Sequence, residues 1–348
     1  MFAMHSAKPY FYDFNSGAKT ELKFPGVVGS ADFFVSPDGK WLAYNINPNS
    51  ATNSFMLDVE PTSSISTGNN AKPIKWEQNR YFGIEGWLDN NQLVINRKLT
   101  LTSFYSTLIL NPFTGQKHEY FLEDYPGYMD FATSSTAPTY YESGNVIPDP
   151  TLSRLVYPKF VNGEDFDVLW DIGSKASLAQ LRDLLPIKAD PLWSPDGSDF
   201  VIPAATRYTT GLDHQIFDWF SVTKDGQVRR LTHFGDFLSK NYIISETRSP
   251  DGRYLAFQMN YQGGLEHGVK FFVLDLQHQN LGAFCVNSLD ISGGEPKPVW
   301  SPDSKYVLLS NSDENDDENI GGLILADVAA KQAYEIAKGI HAVGWLAK

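Results

Sequence analysis

Short apolar runs alternate with polar, turn-rich segments along the whole chain. Trp41–Tyr44, Leu93–Ile95, Leu155–Tyr157, Phe200–Ile202, Tyr254–Phe257 and Tyr306–Leu309 are brief and rich in aromatic and branched residues, the composition of strands rather than helices. Each is followed by a variable polar loop and a second apolar run, such as Phe55–Val59, Ser106–Leu110, Gln215–Val222, Phe271–Leu276 or Leu323–Val328. A tight turn then leads to a further strand, as in Lys117–Phe121, Gln227–Thr232, Leu281–Val286 and Gln332–Ala337. Only Leu178–Leu185 reads as a helical turn or two.

One phrase returns in front of these runs: Ser36-Pro-Asp-Gly39, Ser194-Pro-Asp-Gly197, Ser249-Pro-Asp-Gly252 and Ser301-Pro-Asp-Ser304. Proline fixes φ, aspartate bonds back to the backbone and glycine accepts positive φ, so each copy predicts a hairpin turn between two strands. Degenerate copies stand at 89–91 and 148–151. Asp38, Asp89, Asp149, Asp196, Asp251 and Asp303 are then spaced by 51, 60, 47, 55 and 52 residues. Four antiparallel strands in about 50 residues make one blade of a β-propeller.

The two ends of the chain complement each other. Met1–Ser6, Tyr10–Asn15 and Thr20–Phe24 resemble the second to fourth strands of a blade, and His341–Trp345 resembles a first strand with no successor. Sharing one blade between the termini closes the ring and removes an unpaired edge. The expected fold is therefore all-β, a single propeller domain over residues 1–348 with seven four-stranded blades; a six-bladed ring with loose ends is the alternative. Because the chain begins at a second strand, it also reads as a module cut from a longer protein.

Charge and composition narrow the function. Forty-one acidic against 28 basic side chains give a net charge of −13, with no basic cluster to neutralise a phosphate backbone, so nucleic acid is not an expected partner. Cys285 is the only cysteine, which excludes an intramolecular disulfide and a cysteine zinc site. No run reaches the ~18 apolar residues of a membrane-spanning helix, and Met1–Pro9 lacks the pattern of a signal peptide.

The Ser-Pro-Asp-Gly turn followed by a Leu-Ala-Phe-like strand resembles the WD40-like repeat of the TolB propeller family, also present in propellers of the prolyl oligopeptidase class. The resemblance spans nearly the whole chain. It implies a bacterial or archaeal protein, often periplasmic or extracellular, that binds other proteins. Oligopeptidase relatives carry an α/β-hydrolase domain, but no Gly-x-Ser-x-Gly elbow occurs here.

Candidate site residues lie away from the turns. Aromatic residues in polar loops make good recognition anchors, and Tyr125, Tyr128, Tyr208, Phe234 and Tyr242 are of this kind; the competing reading is that they pack over the blade tops. Asp32, Glu85, Glu142, Asp190 and Glu246 stand near the start of successive first strands, which line the central channel of a propeller, so an acidic channel mouth is expected to attract a cation or basic peptide. His214, His233, His267 and His341 lie in loops of the presumed binding face, where oligogalacturonate lyases, which resemble this scaffold, place metal-binding histidines, but their pattern is not matched residue by residue. Ser312–Asn319 is acidic but departs from a calcium loop, with Glu318 where glycine belongs; calcium is the only cofactor it suggests, and weakly. No catalytic or metal-ligating residue is assigned. The sequence favours a non-enzymatic module that binds a protein or peptide. The alternative is a carbohydrate-active enzyme, a lyase or glycosidase, acting on an oligosaccharide through channel carboxylates or histidines.

Overall fold

The computed structural model describes residues 2–5, 8–13, 16–21, 33–49, 54–67, 74–78, 82–98, 105–127, 146–161, 164–186, 190–206, 216–263, 266–284, 286, 297–310, 322–338 and 341–346. Six sheets are four-stranded, and all pairings are antiparallel. Blade 1 spans Phe33–Val35 to Ile74–Gln78, blade 2 Phe82–Trp87 to Lys117–Phe121, and blade 3 Ile147–Pro148 to Ala176–Gln180. Blade 4 spans Lys240–Arg248 to Asn280–Phe284 and blade 5 Val299–Trp300 to Gln332–Lys338. The closing blade pairs His341–Gly344 with Phe2–His5, which continues to Lys8–Tyr12 and Lys19–Glu21. There Gly344 passes so close to blade 1 that a Cβ would lie 2.4 Å from Val35, which leaves no room for any side chain.

The expectation of seven four-stranded blades is corrected. Four-stranded blades number six, and the sheet between blades 3 and 4 has five strands. In it both Leu184–Pro186 and Leu192–Trp193 pair with Asp199–Thr206, against residues 204–206 and 200–201 respectively. The inner edge is thus broken opposite Ile202 and Pro203, and proline has no N–H to give to a ladder. The helical expectation at Leu178–Leu185 also fails. Ala176–Gln180 pairs with blade 3, and a turn from Leu181 to Leu184 leads into the broken inner strand. Cross-strand pairing and burial of Leu181 and Leu184 decide this segment, overriding its local helical character.

The repeated turns share one hydrogen-bond plan. Ser36, Ser194, Ser249 and Ser301 donate from Oγ to Asp38, Asp196, Asp251 and Asp303 at 2.6–2.8 Å. The same hydroxyl oxygens accept the backbone N–H of Trp41, Asp199, Tyr254 and Tyr306, each the first residue of the next strand. Gly39, Gly197 and Gly252 adopt φ of +72°, +68° and +75°, and Ser304 takes the same region at +59°. In blade 3 Asp149 occupies the serine's place, two residues earlier than the sequence pattern suggests. Its carboxylate accepts the N–H groups of Ser153 and Arg154, and Leu152 (φ +56°) stands where glycine does elsewhere.

In five of the seven sheets the residue before the turn ties the sheet to the one before it. The indole N–H groups of Trp87, Trp193, Trp300 and Trp345 donate to the carbonyls of Phe34, Ile147, Thr247 and Val299, at 2.9–3.3 Å. In blade 4 Arg248 replaces the tryptophan and donates to the carbonyl of Leu192 and to Asp199. Apolar clusters fill the seams: Trp219 against Phe257 between the five-stranded sheet and blade 4, and Phe271 with Leu309 between blades 4 and 5. Each such large side chain, withdrawn from water, contributes roughly 1.5–3 kcal/mol.

Candidate ligand-binding site

Strands alternate direction, so the connections joining one sheet to the next emerge opposite the Ser-Pro-Asp-Gly turns. The connection from the five-stranded sheet to blade 4, residues 231–239, is fixed from beneath. Asp218, which is 3% exposed, accepts Arg230 Nη2, Thr232 Oγ1 and the N–H of Phe234 at 2.5, 2.8 and 2.8 Å. This anchors Phe234 in the apolar seam, 1% exposed and packed on Phe257 and Phe272. Phe237 stands edge-on to Phe234 but is 64% exposed, and Tyr242, two residues into the inner strand of blade 4, is 48% exposed.

Further along the same strand the sequence turns polar within the wall. Asp190, Ser245 and Lys297 each stand three residues before the latch residues Trp193, Arg248 and Trp300, so successive sheets present them at one level. Beside Ser245 lies Glu246, only 8% exposed. Burial pushes its carboxyl up to about 6; Lys297 nearby opposes the shift and Asp190 adds to it by repulsion. Among the described residues nothing donates a hydrogen bond to this carboxylate. A carboxyl buried beside a second acid is held toward its neutral form.

The other face of this strand is polar and unsatisfied. Ser245 pairs across the sheet with Gln258 on the side facing blade 5, and a β-bulge at Ile244 sets that register. Gln258 is 0% exposed, yet neither its Oε1 nor its Nε2 has a hydrogen-bond partner, and Ser245 Oγ, 4% exposed at the residue level, has none either. At the corresponding place in blade 5, Ser310 Oγ accepts the N–H of Ala342 from the next inner strand at 3.0 Å. Ala342 precedes Trp345 as Lys297 precedes Trp300, so Gln258 faces the entry of Lys297 into blade 5.

The sequence-derived candidates divide. Asp190 and Glu246 are brought together. Tyr242 is exposed at the start of the same strand as Glu246. Phe234 is a core residue, not a surface anchor, and the nearby exposed ring is Phe237. Tyr125 is half-buried, stacked on Tyr157 at 5.0 Å and edge-on to Trp170, and burial pushes its hydroxyl pKa up, so it packs over blade 3. Glu85 is exposed beside the irregularity at Gly86. His341 lies in the closing strand, paired with Met4. Asp32, Tyr128, Glu142, Tyr208 and the acidic loop 312–319 lie outside the described residues. Lys297, Ser245 and Gln258 were not among the sequence candidates. Their signal was a glutamine inside the apolar run Leu255–Met259 and a lysine at the level where another blade carries Asp190.

A second buried polar group lies on blade 1 facing the closing blade. The Tyr44 hydroxyl donates to Glu60, and Asp58, 1% exposed, has Lys75 Nζ at 3.5 Å from Oδ2. Burial raises both carboxyl pKa values. Among the described residues no group of three or more histidine, cysteine, aspartate or glutamate side chains is placed to hold a metal ion.

No family model and no curated protein matches this chain. Solved structures do match in fold. TolB from Acinetobacter baumannii is 15% identical with a TM-score of 0.51, over 95% of this chain and 77% of that one. An oligogalacturonate lyase from Vibrio parahaemolyticus is 12% identical with a TM-score of 0.55, over 97% and 86%. The β-propeller domain of the trilobed protease from Pyrococcus furiosus is 13% identical with a TM-score of 0.52, over 88% and 84%. The chain has a TolB-like propeller fold. Neighbours of that fold include both TolB and an enzyme, and at these identities the likeness extends to the fold alone.

Proposed function

We propose that this chain is a non-enzymatic binding module that takes an extended segment of a protein or peptide on the face carrying Phe237 and Tyr242. The observation that carries this reading is the pair of exposed rings, Phe237 and Tyr242, above a wall that buries the Glu246 carboxyl. Aromatic rings supply large contact area with few rotors to freeze, and the buried carboxylate adds charge selectivity. The TolB-like fold is consistent with a protein partner.

Panning a random peptide library on the immobilised protein tests this, with the Phe237→Ser/Tyr242→Ser double variant for counter-selection. Enriched sequences that bind the native chain at least about tenfold better than the variant are the expected outcome, a difference of about 1.4 kcal/mol. No enrichment over the variant overturns the reading.

One observation favours a second reading. A carboxyl raised to about 6 beside a second acid is the environment of a general acid, as in carbohydrate-active enzymes. Release of shorter products from oligogalacturonate or neutral oligosaccharides, abolished in Glu246→Gln, would establish it and displace the first.

A further inference from the structure

Each sheet of the ring ends in an outer strand that is paired on one side only. Five of the seven outer strands contain lysine, arginine or glutamate, which blunts an edge against pairing with another chain. Asn280–Phe284 contains none, but Leu281 and Gly282 are partly buried there and Phe284 is buried. Ala176–Gln180, the outer strand of blade 3, is also uncharged, and every residue in it except Ala179 is exposed. Leu178 is passed over in the pairing with residues 169 and 170, a bulge that leaves it 41% exposed. The neighbouring outer strand meets this edge closely, since a Cβ on Gly226 would lie 2.3 Å from that of Ala179, and two residues on it presents Val228, 47% exposed. An uncharged edge with apolar side chains on it is a template for a further strand.

We propose that this edge pairs antiparallel with the same edge of a second copy of the chain. Charge at the two ends of the strand selects both the partner and the direction. Lys175 precedes the strand and Asp183 follows it, and both are exposed. Asp171 is turned back onto Ser174, accepting its N–H and its hydroxyl at 2.6 and 2.7 Å. Arg182 donates to Gln180 and lies over the Phe166 ring, which leaves Lys175 and Asp183 as the charges available to a partner. Antiparallel pairing brings Lys175 of each copy toward Asp183 of the other, twice by symmetry, whereas parallel pairing sets like charges together. At a net charge of −13, two copies repel over most of their surface, so an uncharged strand with complementary ends is where self-contact is least opposed. The strand is five residues long and bulged, so the contact is short and the association weak.

Sedimentation equilibrium and amide hydrogen exchange on the full chain test this, over about 1 µM to 1 mM, the range in which so small a contact associates. A reversible monomer–dimer equilibrium is expected, with slower exchange at residues 176–180 as the dimer forms. Leu178→Lys places a charge in the edge and should abolish the dimer while leaving the melting temperature unchanged, because the side chain is exposed in the monomer. Lys175→Asp turns two attractive pairs into repulsive ones and should weaken association about fivefold. Aspartate tolerates the φ of +52° that Lys175 adopts, so the turn survives the change. Adding Asp183→Lys to Lys175→Asp restores opposite charges at both ends and should return the affinity to within about twofold of the native chain.

A chain that stays monomeric throughout, or a dimer with no added protection at 176–180, overturns the proposal. So does a dimer that survives Leu178→Lys, or a charge exchange that fails to restore the loss. Should Leu178→Lys melt lower than the native chain, Ser177→Lys carries the same charge at a neighbouring exposed position and replaces it. An unrelated extended peptide that adds to this edge of a monomer would also overturn the assignment, since the occupant would not be a second copy. The Phe237→Ser/Tyr242→Ser variant should dimerise as the native chain does, which keeps this contact separate from the peptide-binding reading; loss of the dimer in that variant would move the contact to the aromatic face and sink the proposal.

Discussion

The two ends of the inner strand of blade 4 follow opposite rules. At its turn end, the hydroxyl of Ser249 joins Asp251 to the backbone of Tyr254, and Arg248 ties the sheet to its neighbour through Leu192 and Asp199. Three residues earlier, Ser245 Oγ and both amide atoms of the cross-strand Gln258 are buried without hydrogen-bond partners, next to the buried Glu246. Within about one nanometre of extended chain the side chains thus pass from hydrogen bonds made inside the fold to a buried hydroxyl without a partner. Where the polar atoms are matched internally, the residues hold blades together.

The sharpest break of this contrast is removal of a satisfied buried hub. Asp218→Ala would strand Arg230, the Thr232 hydroxyl and the Phe234 N–H, and should cost about 3 kcal/mol of stability in denaturant unfolding, with loss of the 231–239 connection. Glu246→Gln should act in the opposite sense, raising stability by roughly 2 kcal/mol at neutral pH.

The pH dependence of the second effect is fixed by the direction of the shift. A carboxyl whose folded pKa is raised to about 6 is protonated in both states at pH 4 and carries no penalty there; the native protein loses this contribution as the pH rises through 6. The variant should therefore equal the native chain near pH 4 and exceed it at pH 7.5 in urea titrations. Equal stability at both values would show that Glu246 is solvated. Asp58 and Glu60 are shifted in the same direction, so Glu60→Gln should reproduce this sign at the closing seam.

Smaller effects test the regular end. Ser249→Ala removes a hydroxyl that bridges Asp251 and Tyr254 and should cost about 1 kcal/mol. Trp300→Phe keeps most of the ring in the seam and removes only the bond to Thr247, with an expected loss of about 0.5–1 kcal/mol. A loss from Trp300→Phe as large as that from Asp218→Ala would mean that the latches, not the apolar seams, hold the ring.

Much of the fold was legible because its signals are local. Ser-Pro-Asp-Gly specifies a turn through bonds within six residues, and the apolar runs after it are short enough to be strands and nothing else. The tryptophan before Ser194 and Ser301 was visible too, although its partner carbonyl lies about 50 residues away in the preceding sheet. Where the pattern was degenerate the reading slipped, as at Asp149, which does the work of serine and aspartate together.

The candidate site was only partly legible, because it joins residues that sequence distance separates. Acids near the starts of first strands were recognisable one at a time, and Asp190 and Glu246 were among them. That burial would set Glu246 apart, that Lys297 would approach it, and that Phe234 would turn inward while Phe237 turned out depend on how neighbouring sheets pack. The sequence by itself determined an all-β chain of repeated four-strand units whose ends belong together, since turn chemistry and two-residue periodicity act within a few residues. The tertiary structure alone decided that one sheet has a broken inner edge at Pro203, and which polar side chains find partners. Both depend on contacts between segments that meet only when the ring has closed.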